Sequence, residues 1–189
     1  MIPSEIRILI CEDQTLLRES LRTVLDLEPG LRVVGEAADG AEAVARAETM
    51  RPDVILMDIK MPRLTGVEAT AAITTRQPDA RIIILTTFDH DEYIFEALEA
   101  GAMAYLLKDV PAADLVATIR RVHAGERFIQ PATAVRLLHA YGARGRLGHA
   151  GTHSAPDDMD RLSEREMDVL KLLARGASNR DIADHLALA

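Results

Sequence analysis

The 189-residue chain is 48% hydrophobic and 28% charged, with only 3% aromatic residues, an ordinary balance for a soluble globular protein and enough length for one full domain and a smaller second one. Its net charge of −8 lies wholly in residues 1–128, which hold 14 Lys+Arg against 22 Asp+Glu, while residues 129–160 (3 and 3) and 161–189 (5 and 5) are balanced; the first part is therefore a poor candidate for touching nucleic acid, where counterion release rewards Lys and Arg. The single Cys11 excludes an intrachain disulfide and a Cys-based zinc site, no apolar run approaches the roughly 20 residues of a membrane span, and the N-terminus lacks the basic and apolar regions of a signal peptide, so a cytoplasmic protein with no membrane contact is expected.

Five apolar, β-branched-rich runs recur along the chain: Ile6–Ile10, Leu31–Gly35, Val54–Met57, Arg81–Leu85 and Ala104–Leu107. Helical spacing separates them, as in Leu17, Leu21, Val24 and Leu25, then Ala41, Val44 and Ala45 before Pro52, then Val67, Ala71 and Ala72 before Pro78. Ile94, Ala97 and Leu98 precede Gly101, and Leu115, Ile119 and Val122 precede Gly125, both placed as helix-ending glycines. Strand and helix thus alternate five times with short links. This predicts an α/β domain, a parallel sheet with helices on both faces and right-handed crossovers, over residues 1–128.

The pattern then changes. Residues 129–160 read as a linker: one possible helix at Pro131–Tyr141, then Gly142–Asp158, rich in Gly, Ala, His and Pro and without a period. Residues 161–189 begin with Leu162-Ser163-Glu164-Arg165-Glu166, where Ser163 and Glu166 have capping-box spacing and Val169, Leu170, Leu172 and Leu173 supply an apolar face. Gly176 ends that helix, and Ser178 with Asp181 opens a second, with Ile182, Ala183 and Leu186 apolar. Two capped helices joined by a glycine-containing turn are the first half of a helix-turn-helix.

The chemistry gathers at the strand ends. In an open parallel sheet the C-terminal tips share one edge, where ligands bind. The first run ends in Cys11-Glu12-Asp13, the third in Asp58, the fourth in Thr86-Thr87 and the fifth in Lys108. Three carboxylates brought together repel unless a cation joins them, and the hard, oxygen-seeking Mg²⁺ suits them. A phosphoryl group fits the rest: Asp58 as nucleophile, Lys108 and Mg²⁺ neutralising its oxygens, and Thr86 donating a hydroxyl to one of them.

Glu12-Asp13, Asp58 followed by Met61-Pro62, Thr86 and Lys108 resemble the signature of response-regulator receiver domains of two-component systems, over about residues 5–125. The resemblance implies a flavodoxin-like, doubly wound five-stranded sheet of order 2-1-3-4-5. It implies phosphorylation of Asp58 by a sensor histidine kinase, and Mg²⁺ held by Asp13, Asp58 and the main-chain carbonyl of Lys60, with Glu12 assisting through water. Thr86 and Tyr105 match the family's switch pair, in which the phosphate draws the hydroxyl and the aromatic ring packs inward behind it. Gly101–Asp109 and the segments Leu162–Glu166 and Gly176–Ala183 are similar to the NarL/LuxR-type branch, transcription factors that form homodimers when phosphorylated and bind DNA. In that branch a recognition helix and a further dimerisation helix follow the second short helix. This chain stops at Ala189, so the recognition helix is expected to be missing and the 189-residue chain is expected not to bind an operator that a longer version would bind.

Other residues have simpler explanations. Cys11 reads as a small core residue, since no basic neighbour would activate its thiol. His149 and His153 have metal-ligand spacing but sit in the linker. Asp89, Asp91 and Glu92 suit the N-terminal turn of a helix, Thr87 and Phe88 suit the pocket rim, and Arg120, Arg121 and Arg127 suit the surface or an interface. Three rival functions stand beside the switch. An aspartate-nucleophile phosphatase needs a second acid two residues after Asp58, where Lys60 stands. A dinucleotide site needs a glycine-rich turn where Cys11-Glu12-Asp13-Gln14-Thr15 stands. A receiver-like interaction module that never takes phosphate differs from the switch only by experiment.

Overall fold

The computed structural model describes residues 5–87, 91–130 and 134. The chain divides into one compact unit of Met1–Ile129 and another of Gln130–Ala189, and the fold of the first follows. The helix expected at Pro131–Tyr141 (Ala134 apart), the linker with His149 and His153, the capped helices after Leu162, and Phe88 and Asp89 lie outside the described residues.

Strands and helices alternate as β1 (Ile6–Cys11), α1 (Thr15–Asp26), β2 (Leu31–Ala37), α2 (Gly40–Met50), β3 (Val54–Met57), α3 (Gly66–Arg76), β4 (Ile82–Thr86), α4 (Asp91–Glu99), β5 (Ala104–Leu107), α5 (Ala112–His123) and β6 (Phe128–Ile129). All pairings are parallel, in the order β2-β1-β3-β4-β5-β6. The first five strands have the expected order. The sixth corrects the expectation of a five-stranded sheet: Phe128 and Ile129 pair with Ala104 and Tyr105, and the Phe128 N–H donates to the Met103 carbonyl at 2.9 Å. Two residues are too few to show alternation in sequence. Arg121, exposed as expected, lies 4.5 Å over the Phe128 ring and helps seat this edge.

The central strands read as unbroken apolar runs because both faces are covered. Side chains alternate between faces. Ile8, Ile10, Leu56, Ile83, Leu85 and Leu106 join Leu25 of α1 and Leu115, Ile119 and Val122 of α5 in one buried cluster. The intervening Leu9, Ile55, Met57, Ile82 and Ile84 are equally buried on the opposite side. Each such side chain contributes about 1.5–3 kcal/mol through burial.

The helix ends follow local chemistry. Thr65 and Glu68 form a reciprocal capping box at the start of α3, and the Asp39 carboxylate accepts the Glu42 N–H at 2.9 Å to start α2. Gly101 and Gly125, at φ +101 and +92, take the left-handed conformation just after α4 and α5.

Register sets what happens at the C-terminal edge. Cys11 pairs with Met57, and Thr86 with Leu107. Glu12, Asp58 and Lys108 are therefore each the first residue beyond a strand, on three strands that end at the same edge.

Candidate functional site

Each of these three residues is held by one further main-chain bond past the end of its strand. The Glu12 N–H donates to the Ala37 carbonyl at 3.0 Å, the Asp58 N–H to Cys11 at 2.9 Å and the Lys108 N–H to Thr86 at 2.9 Å. The backbone positions of the charged groups are thus continuations of the sheet, which limits their freedom more than a loop would.

Their side chains meet. The Lys108 ammonium donates to Asp58 Oδ2 at 2.9 Å and lies 2.6 Å from Glu12 Oε2. All three are buried, with side-chain exposures of 7%, 3% and 2% for Lys108, Asp58 and Glu12. Asp58 Oδ1 accepts the N–H of Ile59 at 2.8 Å, and Glu12 Oε1 accepts the N–H of Gln14 at 3.2 Å. Burial pushes the Glu12 carboxyl above its usual range and the Asp58 charge adds to this, against the opposing pull of Lys108. Burial alone would lower the Lys108 ammonium; its hydrogen bonds to Glu12 and Asp58 and their charges outweigh that, so its pKa is raised. Lys108 is held as a cation between two carboxylates.

Asp13 completes the cluster from the solvent side. It is exposed, and one carboxylate oxygen from each of Glu12, Asp13 and Asp58 lies within 4.8 Å of the others. Three carboxylates against one ammonium leave two negative charges uncompensated when all are ionised. An all-oxygen donor set with a double negative excess and an open side fits a small divalent cation that keeps part of its water shell. Thr86 is fully buried at the end of β4, and Tyr105 is fully buried in β5; Thr87 is exposed beside them. Lys60 is exposed two residues beyond Asp58. Cys11 is buried, and desolvation pushes its thiol far up, as suits a core residue.

Two contributors escaped the reading of the sequence. The N–H of Ile59 orients the Asp58 carboxylate, which no side-chain pattern reveals. Gly66, visible only as a break after Pro62, is the first residue of α3, and its N–H donates to the Ile59 carbonyl at 2.7 Å. A Cβ there would run into the Asp58 carbonyl oxygen, so the loop after β3 folds back onto the strand tip only because this position has no side chain. The available signal was a glycine directly after Thr65, with Glu68 three residues beyond that cap.

Comparison with known proteins gives the family. Residues 8–120 match the response regulator receiver domain family, and residues 160–189 match the bacterial regulatory proteins of the luxR family. The chain is 39% identical over 186 residues to an uncharacterised transcriptional regulatory protein of Bacillus subtilis, YxjL, covering 98% of this chain and 83% of that protein. Identity to the transcriptional regulatory protein LnrK of the same organism is 38% over 181 residues, covering 96% and 82%. A crystal structure of a LuxR-family two-component response regulator from Aurantimonas sp. SI85-9A1 superposes with a TM-score of 0.68 at 35% identity, covering 76% of this chain and 99% of that one.

Proposed function

This chain belongs to the response regulators of two-component systems, in the branch with a LuxR-type DNA-binding segment, and on that premise we propose that Asp58 is its phosphoacceptor. The observation that carries the assignment is the double bond-sharing of Lys108, whose ammonium reaches Asp58 and Glu12 together inside a buried pocket. Such a cation neutralises the charge that gathers on phosphoryl oxygens during transfer, and burial strengthens its effect.

A carboxylate oxygen of Asp58 forms a new O–P bond while the N–P bond of the donor's phosphohistidine breaks, and the imidazole nitrogen keeps the electron pair. The Ile59 N–H, bonded to Oδ1, fixes the plane of the nucleophile. Lys108 turns from holding two carboxylates to holding one carboxylate and the incoming phosphoryl group. Glu12, Asp13, Asp58 and the main-chain carbonyl of Lys60 would hold Mg²⁺, which supplies further charge neutralisation when bound. Thr86 then donates its hydroxyl toward the phosphoryl oxygens, and Tyr105 keeps the space behind it filled. The pair forms a two-state element that carries the charge change to the surface around α4, β5 and α5.

The partners of this reading are a sensor histidine kinase, a second copy of the chain after phosphorylation, and, where the LuxR-type domain is present in full, DNA. Among the described residues no helix is long and apolar enough to cross a membrane, which accords with a regulator working in the cytoplasm. Lys60 stands where a turnover phosphatase needs an acid, which favours a stoichiometric switch over an enzyme.

Incubation with Mg²⁺ and a small-molecule phosphodonor, followed by intact mass measurement, tests the assignment. One acid-stable, base-labile phosphoryl group is expected, lost in Asp58→Ala. No adduct, or an adduct that survives the substitution, would overturn it.

A further inference from the structure

Arg18 lies on α1, four residues past the Gln14 carbonyl that its own N–H bonds at 3.0 Å, and its side chain is 15% exposed. Its guanidinium turns back toward the sheet edge. Nη1 donates to the Glu12 carbonyl at 2.7 Å and reaches the Asp13 carbonyl at 3.5 Å, while Nε donates to Glu36 Oε2 on β2 at 3.1 Å. The Glu12 carbonyl belongs to the peptide group before Asp13, and the Asp13 carbonyl to the one after. One guanidinium nitrogen therefore touches both peptide groups that bracket Asp13, closely before it and at longer range after it. Glu36 is itself fixed, because its other oxygen accepts Arg22 Nη1 at 2.6 Å.

Asp13 differs from its two neighbours in the acidic cluster. Glu12 and Asp58 are buried and bonded to Lys108, whereas Asp13 is exposed. Its reach therefore depends on its backbone, which Arg18 contacts on both sides and which the Glu12 carboxylate also holds through the Gln14 N–H at 3.2 Å. We propose that Arg18 is a positioning residue for the acidic pocket: anchored by Glu36, its fork sets the backbone of Asp13 and so the pocket's affinity for a divalent cation. The inference rests on the reading that the pocket binds Mg²⁺. Groups that orient metal ligands without touching the metal are typically worth about 10- to 100-fold in affinity.

Electrostatics and positioning make opposite predictions here. A guanidinium near a cation site repels the cation, so if Arg18 acts only as a charge, Arg18→Met should tighten Mg²⁺ binding. If it positions Asp13, Arg18→Met should weaken binding. Calorimetric titration of the 189-residue protein with Mg²⁺ reads the difference. Wild type is expected to bind, Asp13→Asn to bind poorly, and Arg18→Met to bind about 10-fold more weakly. Arg18→Lys should also bind weakly, because one ammonium cannot serve Glu36 and two carbonyls at once. Glu36→Gln, which frees the fork without touching the loop, should give a smaller loss in the same direction, and it keeps the test available if Arg18→Met does not fold. Wild-type binding with unchanged or tighter binding in Arg18→Met, or in Glu36→Gln where Arg18→Met does not fold, would overturn the positioning role alone. No Mg²⁺ binding by wild type would overturn the inference together with the reading of the pocket.

Discussion

Glu12 and Glu42 are bonded almost alike. Each carboxylate lies 2.6 Å from a basic side chain, Lys108 or Arg46, and each accepts one main-chain N–H, from Gln14 at 3.2 Å or Ala38 at 2.8 Å. Yet Glu12 is pushed above the usual carboxylate range and Glu42 below it. The difference is burial: the Glu12 side chain is 2% exposed and Glu42 30%. In the half-exposed pair the N–H bond from Ala38 is the largest influence and exceeds the desolvation; at the strand tips desolvation is the largest influence, and the Asp58 charge adds to it. The same pairing is a minor local contact where water still reaches it and a site under electrostatic tension at the buried sheet edge.

The largest break in this comparison comes from removing the buried cation. Lys108→Met leaves Glu12 and Asp58 facing each other without compensation and should cost about 3–5 kcal/mol near neutral pH, read by urea unfolding. Part of the loss should return as pH falls and Glu12 takes up a proton, or as Mg²⁺ is added. Next, Gly66→Ala should lower stability by about 1–3 kcal/mol, because the methyl group meets the Asp58 carbonyl oxygen. A melting temperature unchanged from wild type would show that the loop after β3 has room to move.

The pH dependence sharpens the contrast. The Glu12 carboxyl is raised above 4.5, so its contribution to stability is full below 4.5 and is lost as pH rises through its folded-state value. Glu42 is lowered below 4.5, so its contribution is present above 4.5 and lost as pH falls through its folded-state value. Glu12→Gln should therefore remove a falling limb from the stability profile just above pH 4.5, and Glu42→Gln a rising limb just below it. Two profiles with the same sign would contradict the assignment to burial. The smallest effect is expected for Arg46→Met, within about 0.5 kcal/mol, since it breaks only a half-exposed pair one helical turn apart.

Much of this was legible in the residues. Buried parallel strands show as apolar, β-branched-rich runs, so Ile6–Ile10, Val54–Met57 and Arg81–Leu85 announce themselves, and a carboxylate or ammonium directly after such a run must sit at a sheet edge. Glu12, Asp58 and Lys108 were placed on that ground and the structure brings them into contact. Phe128–Ile129 was not legible, because two residues carry no period. Nor were the fork of Arg18, the N–H of Ile59 and the close approach at Gly66, because each depends on where a backbone group lies in space.

The linear order of residue types by itself determined the alternating α/β architecture, the sheet edge where charge collects and the identity of the three carboxylates and one lysine there. Periodicity and turn chemistry act over a few residues and survive without the fold. Only the tertiary structure decided that Glu12 and Asp58 are buried while Asp13 is exposed, that one ammonium serves two of them, and that a helix residue reaches back to hold the third. Burial and bond sharing join residues as far apart as Glu12 and Lys108, and the electrostatic character of the pocket exists only once the strands have set their tips side by side.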